Sequence, residues 1–427
     1  MGFGLTGTAI KNRKNSNNIV LDYFFYFLWP FGMLVKSLFD FKNPRYKNFL
    51  WFFTVFVGLC LITTSEELDA FRYAREFELI AKTNKTIGDI FSIAYSDSGS
   101  LDIFRPLMMY LISRFTNNSH IFFAFVGVIY GFLFSRNFCY IIDKVQGDFT
   151  KFQILVLFSF LFIFPIQALQ FVRFSTAAHL FFFGAMPFLF EKNTKYVFVA
   201  IASVFVHFSF FIPVAVLLVY IYLPKNVHLF FIFYILTSFF IQVKLESINT
   251  VLESNAPELL EDKVAIYGNE GYAESEVESI STANWYIQYF GKAIDYFIAV
   301  MIIYVYVFNR KYLMENMGLF TLFGFTLFFA GVANLVSLFP SGSRFIGVAR
   351  LFAIAVIVLN INSLKNRPGF KMLQLVTAPV LIFFIIVALR FLVDTTGLLA
   401  YIGNPFLFFI YQDHVPVIDF IKSILGS

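Results

Sequence analysis

Apolar runs long enough to cross a lipid bilayer recur along almost the whole of this 427-residue chain. A helix needs about 20 mostly apolar residues to span a hydrocarbon core of roughly 30 Å. The sequence is 59% hydrophobic and only 14% charged, and removing the apolar runs leaves no soluble domain. We therefore predict an all-α polytopic membrane protein with about 11–12 transmembrane helices.

The apolar runs divide the chain into three parts. A polar N-terminal tail covers residues 1–18, a transmembrane helical domain covers 19–393, and a C-terminal segment with a short interfacial helix covers 394–427. Two long loops, 65–118 and 244–284, interrupt the transmembrane domain. The predicted spans are 19–39, 49–64, 119–142, 152–170, 174–190, 196–208, 210–223, 227–243, 285–308, 318–338, 343–363 and 371–393.

Lysine and arginine indicate the sides of the membrane, because short cytoplasmic loops carry an excess of these residues. The run 196–223 would be about 42 Å long as one helix, which fits either one tilted span or two short spans. With two spans that meet near His207, the basic loops all fall on one side. We therefore prefer the pair and place both long loops outside. The basic loops are Lys42/Arg45/Lys47, Arg136/Lys144/Lys151, Lys192/Lys195, Lys225, Arg310/Lys311 and Lys365/Arg367/Lys371.

The segment 19–39 has two interpretations that stay open. If it crosses the bilayer, the basic N-terminal tail lies outside, against the positive-inside rule. Because the segment contains Asp22, Pro30 and Lys36, it can instead lie along the membrane interface.

Composition also excludes several kinds of partner. Lysine and arginine are scattered through the loops and form no stripe, which indicates that nucleic acid is not a partner. Cys60 and Cys139 both lie in apolar segments, so neither a disulfide framework nor a thiolate site is expected. The sequence has no DxD triplet and no His-x3-His pair. We predict a metal-independent site without a cofactor.

Acidic residues gather at the start of the first long loop. In a helix, Glu66, Asp69, Tyr73 and Glu76 would share one face, because residues three and four apart are neighbours. A carboxylate such as that of Asp69 can act as a general base. The alternative is a solvated amphipathic helix with an Arg72–Glu76 pair.

Asp102 and Arg105 lie farther along the same loop, and the helix after Pro106 carries Tyr110 and Arg114 among leucine and methionine. This pattern predicts an amphipathic helix on the outer leaflet. Such a helix either guides a polyprenyl lipid or simply anchors the chain.

Two predicted outer turns carry further polar residues. Gln170 and Arg173 lie at the first, and the planar guanidinium of Arg173 matches phosphate oxygens. Snorkelling of Arg173 to the lipid headgroups is the alternative. His207 lies at the second turn, where it can donate to a phosphate, transfer a proton or serve a structural role.

Two arginines lie near the start of the span 343–363. Arg344 follows a Ser-Gly-Ser turn, and Arg350 lies roughly 9 Å farther along the helix. A charge at that depth is expected to face a cavity or an ion partner. In another span, Lys292 and Asp295 are three residues apart and are expected to neutralise each other.

Taken in order, these segments resemble the EpsG-like branch of bacterial exopolysaccharide polymerases, relatives in role of the Wzy polymerases of O-antigen and capsule. Two departures are Leu68, where the family commonly has glycine, and Asp102-Ile103, where it often has Glu-Pro. The matching segments are Asp69-Ala-Phe-Arg-Tyr73, Asp102-Ile-Phe-Arg-Pro-Leu-Met-Met-Tyr-Leu-Ile112, Gln170-Phe-Val-Arg173-Phe-Ser-Thr-Ala177, Phe205-Val-His207-Phe-Ser209 and Ser343-Arg344.

The resemblance implies a multi-pass enzyme of the bacterial inner membrane with a GT-C-like architecture. It would join glycan repeat units carried on undecaprenyl diphosphate, with a chain-length regulator and a flippase as candidate partners. By position, the resemblance makes Asp69 the acid, Arg173 the loop arginine, His207 the turn histidine and Arg344 the late arginine. Asp69, Arg173 and Arg344 are thus predicted to be catalytic. The predicted substrate-binding residues are Tyr73, Asp102, Arg105, Gln170, His207 and Arg350.

Three other functions stay open. A glycolipid flippase or transporter also needs about a dozen helices with buried basic residues, although transporters commonly show repeated halves and none is visible here. A membrane acyltransferase that modifies surface glycans would use His207 or His179 as its base. A purely structural membrane subunit is the third.

Overall fold

The computed structural model describes residues 19–64, 68–83, 86–90, 92, 102–239, 284–339, 341–411 and 415–425. These residues are almost entirely helical, and the extended pairings among them are two isolated bridges near the C-terminus. The prediction of an all-α polytopic membrane protein is confirmed. The predicted tail 1–18 and all but the last residue of the loop 244–284 lie outside the described residues.

The described helices are numbered in chain order. Helices α6, α12, α14, α15 and α16 are each long and apolar enough to cross a membrane, and six further apolar helices are shorter. Two 3-10 helices, Ile166–Phe171 and Phe208–Phe210, lie at turns. The α-helices are α1 (Ile19–Leu28), α2 (Pro30–Phe39), α3 (Tyr46–Leu59), α4 (Asp69–Lys82), α5 (Phe104–Ser113), α6 (Ser119–Lys144), α7 (Lys151–Phe160), α8 (Phe174–Glu191), α9 (Lys195–Val206), α10 (Phe211–Tyr222), α11 (Val227–Phe239), α12 (Trp285–Phe308), α13 (Arg310–Glu315), α14 (Met317–Val336), α15 (Arg344–Leu364), α16 (Phe370–Thr395), α17 (Leu399–Ile402), α18 (Pro405–Ile410) and α19 (Val417–Leu425).

Helix α15 forms the centre of the bundle. Every residue from Leu351 to Ile361 is buried, because apolar side chains surround the helix on all sides and each meets a neighbouring helix. The neighbours are α6, α7, α8, α12 and α14. The central helix therefore carries Arg344, its first residue, at a fixed place on one end of the bundle.

The basic loops meet at one end of the bundle, which we call the basic end. Lys144 at the end of α6 pairs with Glu191 at the end of α8, with 2.6 Å between nitrogen and oxygen. Gln146 accepts hydrogen bonds from Tyr312 through its side chain and from Asn362 through its backbone carbonyl. Loops that are distant in sequence are therefore neighbours here, as the positive-inside assignment requires.

The opposite end, which we call the loop end, carries the turn at His207. Helices α9 and α10 are two short helices joined by a 3-10 turn, which confirms the predicted pair. Backbone of Ile103 bonds to Phe205 beside this turn, at 3.1 Å. At the far end of α10, Tyr220 donates to the carbonyl of Thr321, close to the start of α14. Both helices thus run between the turn and the basic end.

The predicted span 152–170 is wrong at its second half. Helix α7 ends at Phe160, and the chain continues through a turn into the 3-10 helix Ile166–Phe171. The hydroxyl of Tyr130 lies 2.7 Å from the carbonyl oxygen of Phe164 and 2.9 Å from that of Pro165. A side chain of α6 therefore satisfies carbonyls that a continuous helix would have bonded internally. Because of this early end, the turn before Arg173 is longer than predicted.

The first apolar segment folds back on itself, so it does not form one continuous helix. The ammonium of Lys36 in α2 lies 2.6 Å from the carboxylate of Asp22 in α1. In one continuous helix these residues would be about 21 Å apart. The chain reverses at Trp29, between two arms that are each about 15 Å long, half of a hydrocarbon core.

Candidate functional site

Helix α4 forms one side of the candidate site. It begins at Asp69, as the acidic pattern predicts, and Glu66 lies outside the described residues. Tyr73, Phe77 and Ile80 are buried where α4 packs against α5, α6 and the 3-10 helix before Arg173. This packing holds the polar face of α4 against the loop end of the bundle.

A buried ion pair joins the first long loop to the next turn. Arg173 donates through Nη1 to one carboxylate oxygen of Asp102, and the other oxygen accepts from the backbone N–H of Phe208. The side chain of Asp102 is only 3% exposed and that of Arg173 is 19% exposed. A carboxylate so placed fixes the guanidinium and brings the His207 turn beside it.

A strained backbone turn positions Arg173. Val172 has a positive φ of 50° with ψ −53°, and the backbone N–H of Arg173 bonds to the carbonyl of Phe171. This is the classic γ-turn, which is rare and costly for a β-branched residue. Strain of this kind persists where the surroundings impose it, and it clusters at functional sites. Val172 is fully buried, so its packing holds the turn in place.

Tyr73 lies at the centre of three guanidinium groups. Arg105 lies over its ring at 5.5 Å and Arg72 at 5.0 Å, and its hydroxyl interacts with Arg173. Burial lowers the pKa of Arg173, but Tyr73 and Asp102 outweigh burial and raise it above its usual value. The guanidinium therefore stays charged in a buried setting.

Each of these arginines has a carboxylate partner. Arg72 pairs with Asp69 at 2.6 Å, and Arg105 pairs with Glu76 at 3.4 Å. The Arg105–Glu76 contact is long, and the buried Nε of Arg105 has no hydrogen-bond partner among the described residues. Of the two acids, Asp69 is 35% exposed and Glu76 is 33% exposed, so both are accessible to a substrate.

Phe174 links the remaining predicted residues. Its ring meets the imidazole of His207 edge-on at 5.4 Å, and the guanidinium of Arg344 lies 6.0 Å from the same ring. The Nδ1 atom of His207 faces the hydroxyl of Ser209 at 2.9 Å. The turns at 173, 207 and 344 therefore converge, although they are far apart in sequence. We call the group Tyr73, Asp102, Arg105, Arg173, His207 and Arg344 the arginine cluster.

Two buried glutamines lie just before the γ-turn. The side-chain oxygens of Gln167 and Gln170 are buried and have no hydrogen-bond partner among the residues that the structure describes. A buried acceptor without a partner costs free energy, and such atoms are common where a ligand binds. The predicted substrate-binding residue Gln170 is thus next to the cluster with its acceptor unsatisfied.

The model of the EpsG family matches residues 48–403 of the chain. The chain belongs to the EpsG family. No curated protein and no solved structure matches it. Membership in the EpsG family makes the chain a membrane enzyme of the polysaccharide polymerase type. The matched range includes the whole arginine cluster and leaves out the hairpin of α1 and α2.

In this EpsG-family chain, Arg350 lies apart from the arginine cluster. Its guanidinium forms a two-point ion pair with Asp295 of α12, at 2.7 and 2.8 Å, and also donates to the carbonyl of Gly291. The predicted Lys292–Asp295 pair is wrong, because Asp295 points to α15 while Lys292 lies over the ring of Tyr289. The expectation that Arg350 has an ion partner is confirmed.

Two contributors to the site, Val172 and Phe174, were missed from the sequence. Both are adjacent to predicted residues, but nothing in their types marks them as functional. Only a backbone conformation identifies Val172, and only the approach of distant turns identifies Phe174. Among the described residues, no three His, Cys, Asp or Glu side chains are placed to hold one metal ion.

Proposed function

We propose that this EpsG-family protein is a polymerase that joins undecaprenyl-diphosphate-linked repeat units on the outer face of the bacterial inner membrane. The observation that carries the proposal is that the guanidinium of Arg344 lies over the ring of Phe174, the residue after Arg173, while Arg173 itself interacts with Tyr73 of the acidic helix α4. The basic end is then cytoplasmic, by the positive-inside rule. The site works without a metal, because arginine supplies the positive charge.

The reaction is a substitution at the anomeric carbon of the donor sugar. The acceptor hydroxyl loses its proton to a carboxylate, and its oxygen forms the new bond to the anomeric carbon. The bond from that carbon to the diphosphate oxygen breaks, and undecaprenyl diphosphate leaves with the electron pair. Negative charge therefore develops on the leaving diphosphate, where a cation stabilises the transition state most.

Arg173 and Arg344 are the groups that meet this charge. Arg173 is held by Asp102 and by the γ-turn at Val172, so its guanidinium is oriented before substrate arrives. Arg344 is the first residue of the central helix and is exposed at the loop end. The guanidinium of Arg173, fixed by Asp102, and the exposed guanidinium of Arg344 together suit a diphosphate, whose two phosphates present oxygens in different directions.

Asp69 is the proposed base, and Asp102 is a positioning residue. Asp102 is almost completely buried and both of its oxygens are already bonded, so it has little access to an acceptor hydroxyl. Asp69 is partly exposed at the first turn of α4 and reaches the cluster through Arg72. Glu76 lies about two turns farther along the same face of α4. It is the second acid that an acceptor can reach.

A glycan ladder tests the proposal. A host deleted for this protein is complemented with wild type, Arg173→Ala, Arg173→Lys, Arg344→Ala or Asp69→Asn at matched membrane abundance. We expect the two alanine variants to lower polymer by about 10²–10³-fold, since each removes a donor to the developing charge. Arg173→Lys keeps the positive charge but loses the planar guanidinium that donates two parallel hydrogen bonds. It should therefore give an intermediate yield of polymer.

Arg114→Ala is the matched control, because Arg114 follows α5 as its C-cap residue, lies outside the cluster and packs over Tyr110. It should restore the full ladder. Single repeat units on the outer face of the deletion strain support a polymerase. Repeat units that accumulate on the inner face indicate a transporter and contradict the proposal. Full activity of Arg173→Ala contradicts the site assignment.

A further inference from the structure

A cleft of about 760 Å³ lies on the other side of α4 from the arginine cluster. Its walls are α4, the start of α6 and the chain just after α3. The lining is rich in hydroxyl and amide groups, contributed by Thr63, Thr64, Asn117, Asn118 and Ser119. A volume of this size lies within the usual range for ligand sites of roughly 300–1,000 Å³.

Helix α4 presents different faces to the cleft and to the cluster. Arg75, Glu78 and Lys82 line the cleft and follow the spacing of one helical face. Tyr73 and Glu76 lie on a roughly opposite face and meet the arginines of the cluster. The helix is therefore a wall between two polar sites, which an ordinary surface helix with one solvated face would not be.

The charges in the cleft differ from those in the cluster. Each cluster arginine on or near α4 has a carboxylate partner, but Arg75 and Lys82 form no ion pair within the described part of the chain. Arg75 lies over the ring of Phe71 at 5.3 Å instead. Glu78, the acid that lines the cleft, accepts a hydrogen bond from Ser119 at 2.9 Å. The cleft therefore carries two cations against one carboxylate, a net positive charge, among neutral hydrogen-bonding groups.

We infer that this cleft binds the glycan of the acceptor substrate, and that it favours a saccharide with acidic groups. Hydroxyl and amide side chains match sugar hydroxyls, and Arg75 and Lys82 pair with carboxylates on the sugar. This assignment of the acceptor rests on the proposed function. The saccharide chemistry of the cleft follows from its lining.

The cleft leads toward the proposed base. Phe71 and Lys82, both in its lining, are about 16 Å apart along α4, so an extended glycan can lie along the helix. Thr63 and Thr64 line the cleft close to the N-terminal turn of α4, where Asp69 lies. A glycan in the cleft would bring its terminal hydroxyl around this turn to the carboxylate.

Calorimetric titration of the purified full-length protein tests the inference. The probes are trigalacturonate, an acidic trisaccharide, and maltotriose, a neutral one, both free of lipid. We expect trigalacturonate to bind at least about tenfold more tightly, because each cation adds a charge-assisted contact. Arg75→Ala/Lys82→Ala should lower the affinity for trigalacturonate by at least about tenfold, and Glu78→Gln should raise that affinity by about threefold.

Two controls identify the site. Arg114→Ala should leave the affinity for trigalacturonate unchanged, which excludes a general effect of arginine loss. Arg173→Ala should also leave it unchanged, because Arg173 lies on the other side of α4. Equal affinities of the Arg75→Ala/Lys82→Ala variant and wild type overturn the inference. Loss of binding in Arg173→Ala alone also overturns it, since the probe would then occupy the cluster.

The two proposals fail in different experiments. Binding of a lipid-free trisaccharide needs no polymer synthesis, so it can succeed even if the glycan ladder contradicts the polymerase. In that case the cleft binds a saccharide, but its assignment to the acceptor substrate is overturned. If the ladder responds to Arg173 but neither trisaccharide binds to wild type, the polymerase stands and the cleft assignment is overturned. In the ladder, the cleft variant should yield fewer repeats per chain.

Discussion

The ion pairs around Tyr73 differ in burial, and burial determines how much each pair contributes to the stability of the fold. Arg173 and Asp102 are removed from water, whereas Arg72 is largely exposed and Asp69 is partly exposed. Taking two charges out of water is costly, and removal of one partner leaves the other uncompensated. An exposed pair loses little when it is broken. The buried pair is therefore the one on which the local fold depends.

Replacement of Asp102 tests this difference. We expect Asp102→Ala to lower the free energy of unfolding by about 3–5 kcal/mol, because it strands the buried guanidinium of Arg173. Asp69→Ala, which breaks the more exposed pair, should lower the free energy of unfolding by only about 0–1 kcal/mol. Thermal unfolding of the detergent-solubilised variants measures both. Equal midpoints for the two variants would show that burial of the Asp102 pair contributes nothing.

Among the helices, α12 and α15 are joined by a charge pair inside predicted spans. The two-point contact between Arg350 and Asp295 satisfies both groups where an unpaired charge would be expensive. Arg350 is predicted from the sequence to bind substrate, and its partner offers a simpler structural role. The two roles differ in what a double replacement restores.

A double-variant comparison separates these roles. Arg350→Leu alone should reduce membrane abundance, since Asp295 is then left unpaired in the bundle. Arg350→Leu/Asp295→Leu should recover abundance to near wild type, as measured by immunoblot of membranes. Polymer restored together with abundance assigns Arg350 to the fold. Abundance restored without polymer supports a substrate-binding role.

The hairpin of α1 and α2 allows us to predict on which side of the membrane the N-terminus lies. Because the chain reverses at Trp29, the start of α1 and the end of α2 lie at the same end of the hairpin. Lys42 lies after α2, at the basic end, so the N-terminus is expected in the cytoplasm with it. A fluorescent protein fused before residue 1, which matures only in the cytoplasm, should fluoresce. A dark but stable fusion would mean that the segment crosses.

At the scale of the whole molecule, the sequence predicts where polar groups gather better than how they pair. Arg173, His207 and Arg344 lie at the ends of apolar spans on the same side of the membrane. Their convergence therefore follows from counting spans and basic loops. The hairpin at Trp29 does not follow, because its apolar run is long enough to cross. The partner of Asp295 was misjudged because proximity in sequence outweighed a contact between distant helices.

Backbone detail was also beyond the sequence. The early end of α7 depends on a hydroxyl of Tyr130 that lies one helix away, and the γ-turn at Val172 has no glycine to mark it. Both features move the turn that carries Arg173. Tertiary contacts, which local patterns do not encode, therefore set the geometry of the site.

Reconstitution gives the most direct test of the central claim, that the arginine cluster carries glycan polymerisation. The purified protein in liposomes is supplied with undecaprenyl-diphosphate-linked repeat units, and polymer and released undecaprenyl diphosphate are measured together. We expect one undecaprenyl diphosphate to be released for each new linkage, with both products lost in Arg173→Ala and retained in Arg114→Ala. Lipid-linked units that stay single with wild-type protein, or polymer made equally by Arg173→Ala, would show that the cluster does not carry polymerisation.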